Sequence, residues 1–185
     1  MDWRRHPRDD DLDPDGVGDF LERLGGLIGE PAPEGIQFLH DARQMLQSSR
    51  EIEASALGSG DELLVGFQTA DKLEREADTY RGITRGGTQV IAFGEGEPRV
   101  SIPGLAWVPL PEDPHALANQ WFLVARQPQP VAFVGFDTSD PERRGIGPAG
   151  AATRTWEGFW TEDPRVVEAL RDHLGGLAVD RLAPA

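Results

Sequence analysis

Apolar positions recur along this chain at two spacings, one typical of helices and one typical of strands. From Gln37 to Leu57 they fall mainly on one helical face, so the pattern predicts the longest helix of the chain there. The inward face is predicted to carry Leu39, Ala42, Leu46, Ser49, Ile52 and Ala56, with Phe38 and Met45 at its flanks.

A strand–helix–strand unit is predicted next. Glu62 to Gln68 is a short apolar run bounded by turn residues, which is typical of a buried central strand. A helical pattern follows from Thr69 to Gly86, and a second apolar run spans Thr88 to Gly94. Because a helix in such a unit crosses from one strand to the next, we expect the two strands to be parallel.

The second half of the chain is predicted to form short strands and a closing helix. Leu105 to Leu110 is typical of a strand, and two apolar runs between Trp121 and Thr138 predict an antiparallel hairpin. Residues 155–161 predict the last strand. A helix is expected from Pro164 to about Leu174, with Asp163 as its N-cap.

These elements together predict an α/β fold. We expect a single domain with a mixed sheet of five or six strands, parallel in its βαβ start and antiparallel in its later hairpin, flanked by helices. A length of 185 residues suits one domain. Residues 1–16 are predicted to be a disordered charged arm, 17–36 a short helix and linker, 37–176 the folded domain, and 177–185 a tail.

Composition narrows the class of function. The formal net charge of −14 repels phosphate backbones, so we expect no direct contact with nucleic acid. No apolar run reaches the roughly 20 residues of a membrane helix, and the first residues lack the apolar core of a signal peptide. We therefore expect a cytoplasmic protein without a membrane contact. The absence of cysteine excludes disulfides and thiolate chemistry.

Motifs that would indicate an enzyme are missing. The chain has no Walker A sequence and no Gly-x-Ser-x-Gly elbow. Its four histidines have no metal-ligand spacing to one another, so no metal site is predicted. We therefore expect a chain that is not an enzyme and has no catalytic residue, and the sequence names no cofactor.

Two polar residues stand out as candidates for a ligand site. Gln68 is expected at the carboxyl end of a central parallel strand, the edge at which open α/β sheets bind ligands. A glutamine there is equally an ordinary bracing group. Glu157 is the charged residue of the aromatic strand, in which Trp156 and Trp160 share one face while Glu157 and Phe159 share the other. An outward carboxylate and a ligand-contacting one both fit that pattern.

The order of these motifs resembles the DICT sensory domain, named for its occurrence with diguanylate cyclases and two-component systems. The resemblance covers roughly residues 37–176. It is carried by Gly66-Phe67-Gln68, the helix with Tyr80, Phe93-Gly94, Trp107-x-x-Leu110, a hairpin, and Gly158-Phe159-Trp160-Thr161 before Asp163-Pro164. It implies a non-catalytic, signal-responsive module that passes information to a separate output protein, such as a kinase, a cyclase or a transcription regulator.

The resulting hypothesis is a sensory module that binds a small ligand or a partner at the carboxyl edge of the sheet and moves residues 137–153 or the last helix. Its candidate ligand-binding residues are Phe67, Gln68, Gly94, Trp107, Trp156, Glu157 and Trp160. One alternative is an interaction module without a ligand, which pairs through residues 16–57 with another protein or a second copy of itself. A second alternative is a small hydrolase or transferase that uses Glu157, Asp137 and a histidine from a distant part of the chain.

Overall fold

A computed structural model describes residues 35–110, 120–137 and 156–182. The predictions for residues 1–34 and for most of the loop at 137–153 lie outside these ranges. The elements in chain order are β1 (Gln37–Leu39), α1 (Ala42–Ala56), β2 (Glu62–Thr69), α2 (Ala70–Arg75), α3 (Ala77–Arg85), β3 (Gln89–Glu95), β4 (Leu105–Leu110), β5 (Gln120–Ala125), β6 (Val131–Asp137), β7 (Trp156–Thr161) and α4 (Pro164–Leu182).

The strands form one mixed sheet in the order β1-β7-β6-β5-β2-β3-β4. Strands β2, β3 and β4 are parallel, as the βαβ pattern predicts. Strands β5 and β6 are an antiparallel hairpin, and β5 lies antiparallel to β2. The α/β class and the mixed sheet flanked by helices are therefore confirmed.

The predicted strand count of five or six was wrong, because the sheet has seven strands. The additional strand is β1, which lies within the segment predicted as the start of a long helix. It pairs antiparallel with β7, where Phe38 lies opposite Phe159. Three residues whose partner strand comes more than a hundred positions later leave no local signal, and their apolar side chains fit a helical period equally well.

Helix α1 begins later than its apolar pattern suggests. Asp41 is its N-cap, with extended backbone angles and a side chain that accepts a hydrogen bond from the Gln44 amide at 2.8 Å. The buried face is also rotated from the predicted one: Met45 is fully buried, whereas Leu46 is 48% exposed.

The helix predicted from Thr69 to Gly86 is divided in two. Glu76 leaves helical geometry at φ −98° and ψ 9°, so α2 ends at Arg75 and α3 begins at Ala77. The closing helix α4, in contrast, is longer than predicted and continues to Leu182, into the segment expected to be a tail. Asp163 caps it as predicted, since its carboxylate accepts a hydrogen bond from the Arg165 amide at 2.9 Å.

Helices cover both faces of the sheet. On one face α1, α2 and α3 pack through residues such as Met45, Ile52, Leu73, Tyr80 and Ile83. On the other face α4 packs through Val166, Val167, Leu170, Leu174 and Leu177. Within the described residues, no helix is long and apolar enough to span a bilayer.

A pair of glycines lets α1 approach the sheet closely. Gly135 of β6 and Gly158 of β7 lie directly opposite each other. A Cβ at Gly135 would meet the Met45 sulfur at 2.9 Å, and a Cβ at Gly158 would meet the Met45 terminal methyl at 3.0 Å. A Cβ at Gly158 would also meet the Val134 carbonyl oxygen of β6 at 2.5 Å, so the glycine inside the aromatic strand is explained by close packing against both β6 and α1.

Candidate functional site

The carboxyl ends of the parallel strands meet the starts of β5 and β7 at one edge of the sheet. Gln68 at the end of β2 lies opposite Gly94 at the end of β3. At the same edge, Trp121 near the start of β5 lies opposite Gly135, and Trp156 at the start of β7 lies opposite Asp137. Side chains that are far apart in the sequence thus come together at the edge predicted for a ligand.

A cavity of about 260 Å³ lies between this edge and helices α1 to α3. We call it the Gln68 pocket. It is lined by Leu46, Ser49, Arg50, Glu53, Val65, Gly66, Phe67, Gln68, Lys72, Arg75, Glu76, Tyr80, Trp121 and Trp156.

The backbone of Gln68 is strained. Its φ of 66° lies in the left-handed region, and no other non-glycine residue among those described has a positive φ. The pairing of β2 with β3 skips Phe67, which leaves it as the extra residue of a bulge. Gln68 is only 6% exposed, and its side-chain oxygen accepts a hydrogen bond from the Lys72 ammonium. Left-handed geometry costs a side-chain-bearing residue roughly 1–2 kcal/mol.

Gly94 and Trp107 lie beside the bulge and support it from the neighbouring strands. A Cβ at Gly94 would meet the Trp107 ring at 2.5 Å and the Gln68 carbonyl carbon at 3.3 Å. The Trp107 indole nitrogen donates a hydrogen bond to the Gly96 carbonyl at 2.9 Å. Neither residue lines the Gln68 pocket, so both act on it through packing.

Aromatic rings form the apolar walls of the pocket. Phe67 and Tyr80 pack edge to face with their ring centroids 4.9 Å apart. The ring centroid of Trp121 lies 6.1 Å from that of Trp156 and 5.3 Å from that of Phe133, and in both pairs the rings are nearly perpendicular. Edge-to-face packing of this kind fixes ring orientation, so the walls are preorganised.

A hydrogen-bonded network crosses the polar side of the pocket. The Tyr80 hydroxyl, which is fully buried, donates to the Glu53 carboxylate at 2.9 Å. Arg50 donates to Glu53 at 2.9 Å and holds Glu76 with both of its terminal nitrogens at 3.0 Å. The network therefore joins α1 to the junction of α2 and α3.

Burial changes the proton affinity of two members of this network. Desolvation raises the pKa of Glu53 above its ordinary value, although the hydrogen bonds from Tyr80 and Arg50 act against the rise. Desolvation, together with the Glu53 charge, raises the pKa of Tyr80 well above its ordinary value. At neutral pH the tyrosine is a fixed hydrogen-bond donor.

The seven predicted site residues lie in three places. Phe67, Gln68 and Trp156 line the Gln68 pocket, and Gly94 and Trp107 lie next to it. The remaining two lie elsewhere on β7.

Trp160 lines a second cavity of about 630 Å³ with Gly35, Gln37, Glu162, Asp163, Pro164 and Arg165. This cavity is more open, and Trp160 is the aromatic residue in its described wall, so we favour the smaller cavity as the ligand site. Glu157 is exposed and shares the Phe159 face, which lies on the α4 side of the sheet, away from the Gln68 pocket.

Sequence reasoning missed the pocket residues that helices α1 and α2 contribute, and also Trp121 of β5. Arg50, Glu53, Lys72 and Trp121 all line the pocket, but no motif joins them. One signal was present: Glu53 follows Ile52 on the buried side of an amphipathic helix, and a carboxylate there needs a partner. Across the described ranges, no group of three or more His, Asp or Glu residues is placed to hold a metal ion.

No protein-family model and no curated protein matches this chain. Solved structures do match it. TrmBL2, an archaeal chromatin protein described as showing a novel mode of DNA binding, has a TM-score of 0.48 and 14% identity over 86% of this chain and 57% of its own. This chain therefore spans little more than half of the TrmBL2 chain.

Two further matches cover nearly the whole of the other chain. NucT from Helicobacter pylori has a TM-score of 0.49 and 7% identity over 80% of this chain and 96% of its own. Nuc from Salmonella typhimurium, a phospholipase D family member, has a TM-score of 0.45 and 7% identity over 80% of this chain and 95% of its own. At these values the likeness is one of fold alone.

These structures correct two predictions. The prediction that the chain is not an enzyme is contradicted by the match to a phospholipase D family member, and that likeness of fold assigns no activity to this chain. The partner prediction, a signalling output protein or a second copy without direct nucleic-acid contact, is contradicted by the match to a DNA-binding chromatin protein. Both predictions rested on features of the whole chain, namely its missing motifs and its net charge. Function is instead determined by local sites, and one fold can carry many different sites.

Proposed function

We propose that this chain is a cytoplasmic sensory module that binds a small ligand in the Gln68 pocket. The observation that carries the proposal is a buried, left-handed glutamine in the wall of an aromatic-lined cavity. Backbone strain at a non-glycine residue clusters at ligand sites. Open α/β sheets also bind ligands at the carboxyl ends of their strands, where this cavity lies.

The pocket has the composition of a small-molecule site. Its walls are mostly apolar and aromatic, and a few polar groups converge on it from separate elements. Gln68 comes from β2, Lys72 from α2, and Arg50 with Glu53 from α1. A ligand that contacts all of them touches one strand and two helices at once.

The way in which the pocket is held together supports a sensory role. The Arg50–Glu76 ion pair joins α1 to the junction between α2 and α3 beside the cavity. A ligand that favours one spacing of these helices over another shifts the population of the two arrangements. The motif order that resembles the DICT sensory domain supports the same role.

Binding is tested by titrating the chain with a panel of nucleotides, cyclic dinucleotides, flavins, amino acids and small aromatic acids. Because Trp121 and Trp156 line the pocket, a ligand should change the tryptophan emission saturably and raise the melting temperature.

Two substitutions locate the site. Leu46→Trp places a large ring at the mouth of the pocket, where Leu46 is 48% exposed, and should abolish the rise in melting temperature. Leu57→Trp is the matched control, since Leu57 is 59% exposed and lies outside the pocket wall. The proposal fails if no compound shifts the melting temperature, or if both variants respond alike.

A further inference from the structure

The Ser49 hydroxyl opens into the Gln68 pocket without a partner in the protein. Ser49 is 3% exposed and lines the pocket from the buried face of α1. A serine in a helix can bond back to a carbonyl of the preceding turn, as Ser55 does with the Ile52 carbonyl at 2.8 Å. The Ser49 hydroxyl has no such bond, and none to any other of the residues 35–110, 120–137 and 156–182.

That hydroxyl is not sealed inside the core. Among the described side chains, the polar atom that lacks a hydrogen bond and is also shut off from solvent is Arg171 Nε. The Ser49 oxygen is therefore reachable from the cavity. Because buried polar groups in proteins are nearly always hydrogen-bonded, a molecule in the cavity is expected to complete this one.

The Gln68 amide offers a second group to the same cavity. Its side-chain oxygen accepts a hydrogen bond from the Lys72 ammonium, and no described residue accepts one from its NH₂ group. Gln68 is only 6% exposed, so this donor too faces the pocket rather than the outer surface. A ligand that contacts Ser49 and Gln68 joins α1 to β2.

The two arginines of the pocket are balanced within the protein. Arg50 is held by Glu53 and Glu76, and Arg75 forms an ion pair with Asp71. These pairs occupy both signs of charge, so neither an anionic nor a cationic ligand gains a partner from them.

Lys72 is engaged as well. It has a further interaction in the protein besides its contact with Gln68. The pKa of Asp71 lies below its ordinary value mainly because of a hydrogen bond from Thr69, and the charge of Lys72 contributes to the same shift. Among the described residues, the pocket therefore has no surplus charge for a charged ligand, and moving an unpaired charge out of water is costly.

The apolar part of the pocket fits a flat ring. Phe67, Trp121 and Trp156 provide aromatic walls, and edge-to-face packing holds them in place. A volume of about 260 Å³ admits a single ring or a pair of fused rings and lies below the usual range for drug-sized ligands. A dinucleotide or a flavin is too large for it.

We propose that this pocket binds a small uncharged aromatic carboxamide through Ser49 and Gln68, with the ring against the tryptophans. The carbonyl of a primary amide accepts a hydrogen bond from the Gln68 NH₂ group, and its own N–H group donates to the Ser49 oxygen. This inference rests on the proposed function and names the class of its ligand.

The first test compares amides with charged molecules that carry the same ring. Indole-3-acetamide is compared with indole-3-acetate and tryptamine, and benzamide with benzoate and benzylamine, all added to the ligand panel. Dissociation constants are measured by calorimetry on the full chain at neutral pH. In at least one set the amide should bind about tenfold more tightly than both charged molecules, because a charge that leaves water without a partner is penalised.

Two neighbouring serines allow the amide contact to be assigned. Ser49→Ala should weaken binding of the amide about fivefold, the effect of losing one neutral hydrogen bond. The same change should leave the melting temperature of the free chain unchanged or higher, because the hydroxyl has no described partner and alanine is the better helix former. Ser48→Ala is the matched control, since Ser48 is 8% exposed on the same helix but lies outside the pocket wall. It should leave the affinity unchanged.

The outcomes separate this inference from the proposed function. A charged molecule that binds at least as tightly as its amide in both sets overturns the carboxamide assignment. So does an amide affinity that is the same in Ser49→Ala and Ser48→Ala. If no amide binds but another compound of the panel does, the ligand class is wrong and the sensory proposal stands. If no compound binds, both fail.

Discussion

Gln68 is a single residue that combines a strained backbone with a polar side chain in the pocket wall. A bulge at Phe67 forces the backbone of Gln68 to a φ of 66°, which glycine adopts without penalty. The side chain, however, reaches Lys72 in the pocket wall. The chain therefore keeps an amide in a position where glycine would be more stable.

We predict that Gln68→Gly is more stable than Gln68→Ala by about 1 kcal/mol, because alanine keeps the left-handed strain and glycine removes it. Both variants lose the amide and should bind ligand equally weakly. Midpoints of urea unfolding measure the difference. Gln89, exposed and with a negative φ in β3, is the control position, where the alanine variant should be the more stable one. If the glycine variant were the more stable one at both positions, or the alanine variant at both, backbone strain at Gln68 would not explain the difference.

Glu53 gives a pH dependence whose sign is fixed by burial. Desolvation raises its pKa above the ordinary value of 4.5, so the folded protein binds this proton more tightly than the unfolded chain. Stability therefore falls as pH rises from 4.5 through the raised pKa. The free energy of unfolding of Glu53→Gln, minus that of the native chain, should increase with pH across this window and level off above it.

Denaturant unfolding between about pH 4.5 and pH 8 measures this difference. Tyr80→Phe provides the comparison, because it removes the hydrogen bond that lowers the pKa of Glu53. In that variant the loss of stability with pH should extend to higher pH. If the free energy of unfolding of Glu53→Gln minus that of the native chain stayed constant or decreased with pH, desolvation would not be the dominant influence on the pKa of Glu53.

At the scale of elements, the sequence predicted what depends on neighbours in the chain. The alternation in the aromatic strand predicted that Trp156 and Phe159 lie on opposite faces, and they do: Trp156 packs on the side of α1 and Phe159 on the side of α4. The βαβ unit and the cap at Asp163 were also predicted, since each is encoded within a few residues.

Interactions between distant segments account for the elements that were missed. Strand β1 exists because β7 pairs with it, and the α2–α3 break places Glu76 within reach of Arg50. Helix α4 continues through Gly175 and Gly176, and its later residues Leu177 and Ala178 are buried against the sheet. For the same reason the Gln68 pocket was predicted only in part. Phe67 and Gln68 follow from the end of their strand, whereas the residues of α1 and α2 and Trp121 of β5 do not.

The glycines of β6 and β7 allow a prediction about helix packing. Gly158→Ala should destabilise the fold by roughly 1–3 kcal/mol, because its Cβ would meet the Val134 carbonyl at 2.5 Å, and backbone cannot move aside. Gly135→Ala should cost less, since its Cβ meets only the side chains of Met45 and Phe133.

Gly175→Ala is the control for that pair, because a Cβ there meets nothing within 4 Å. It should stabilise α4 by about 0.5–1 kcal/mol through its higher helix propensity. The melting temperatures of the three variants give the order of their stabilities. Equal destabilisation by Gly135→Ala and Gly158→Ala would show that the backbone contact at Gly158 is no more restrictive than the side-chain contacts at Gly135.

At the scale of the whole molecule, the net charge of −14 opposes compaction. We predict that raising NaCl from about 20 mM to about 300 mM increases the melting temperature, because screening weakens the repulsion among carboxylates. Potassium and sodium should act equally if screening is the cause. A decrease in melting temperature would mean that ion pairs such as Asp61–Arg126 outweigh the repulsion.

The pairing of β1 with β7 has a consequence for how the chain is made. Synthesis proceeds from the amino terminus, so β1 and α1 leave the ribosome before their partners. The partner of β1 is strand β7, and α1 packs on Gly135 of β6 and Gly158 of β7. Until β7 emerges, the backbone of β1 has no strand to pair with, and Met45 lacks its contact with Gly158. Contacts between residues this far apart in the sequence form slowly. The first elements of the chain therefore reach their native packing only after the last strand has been made.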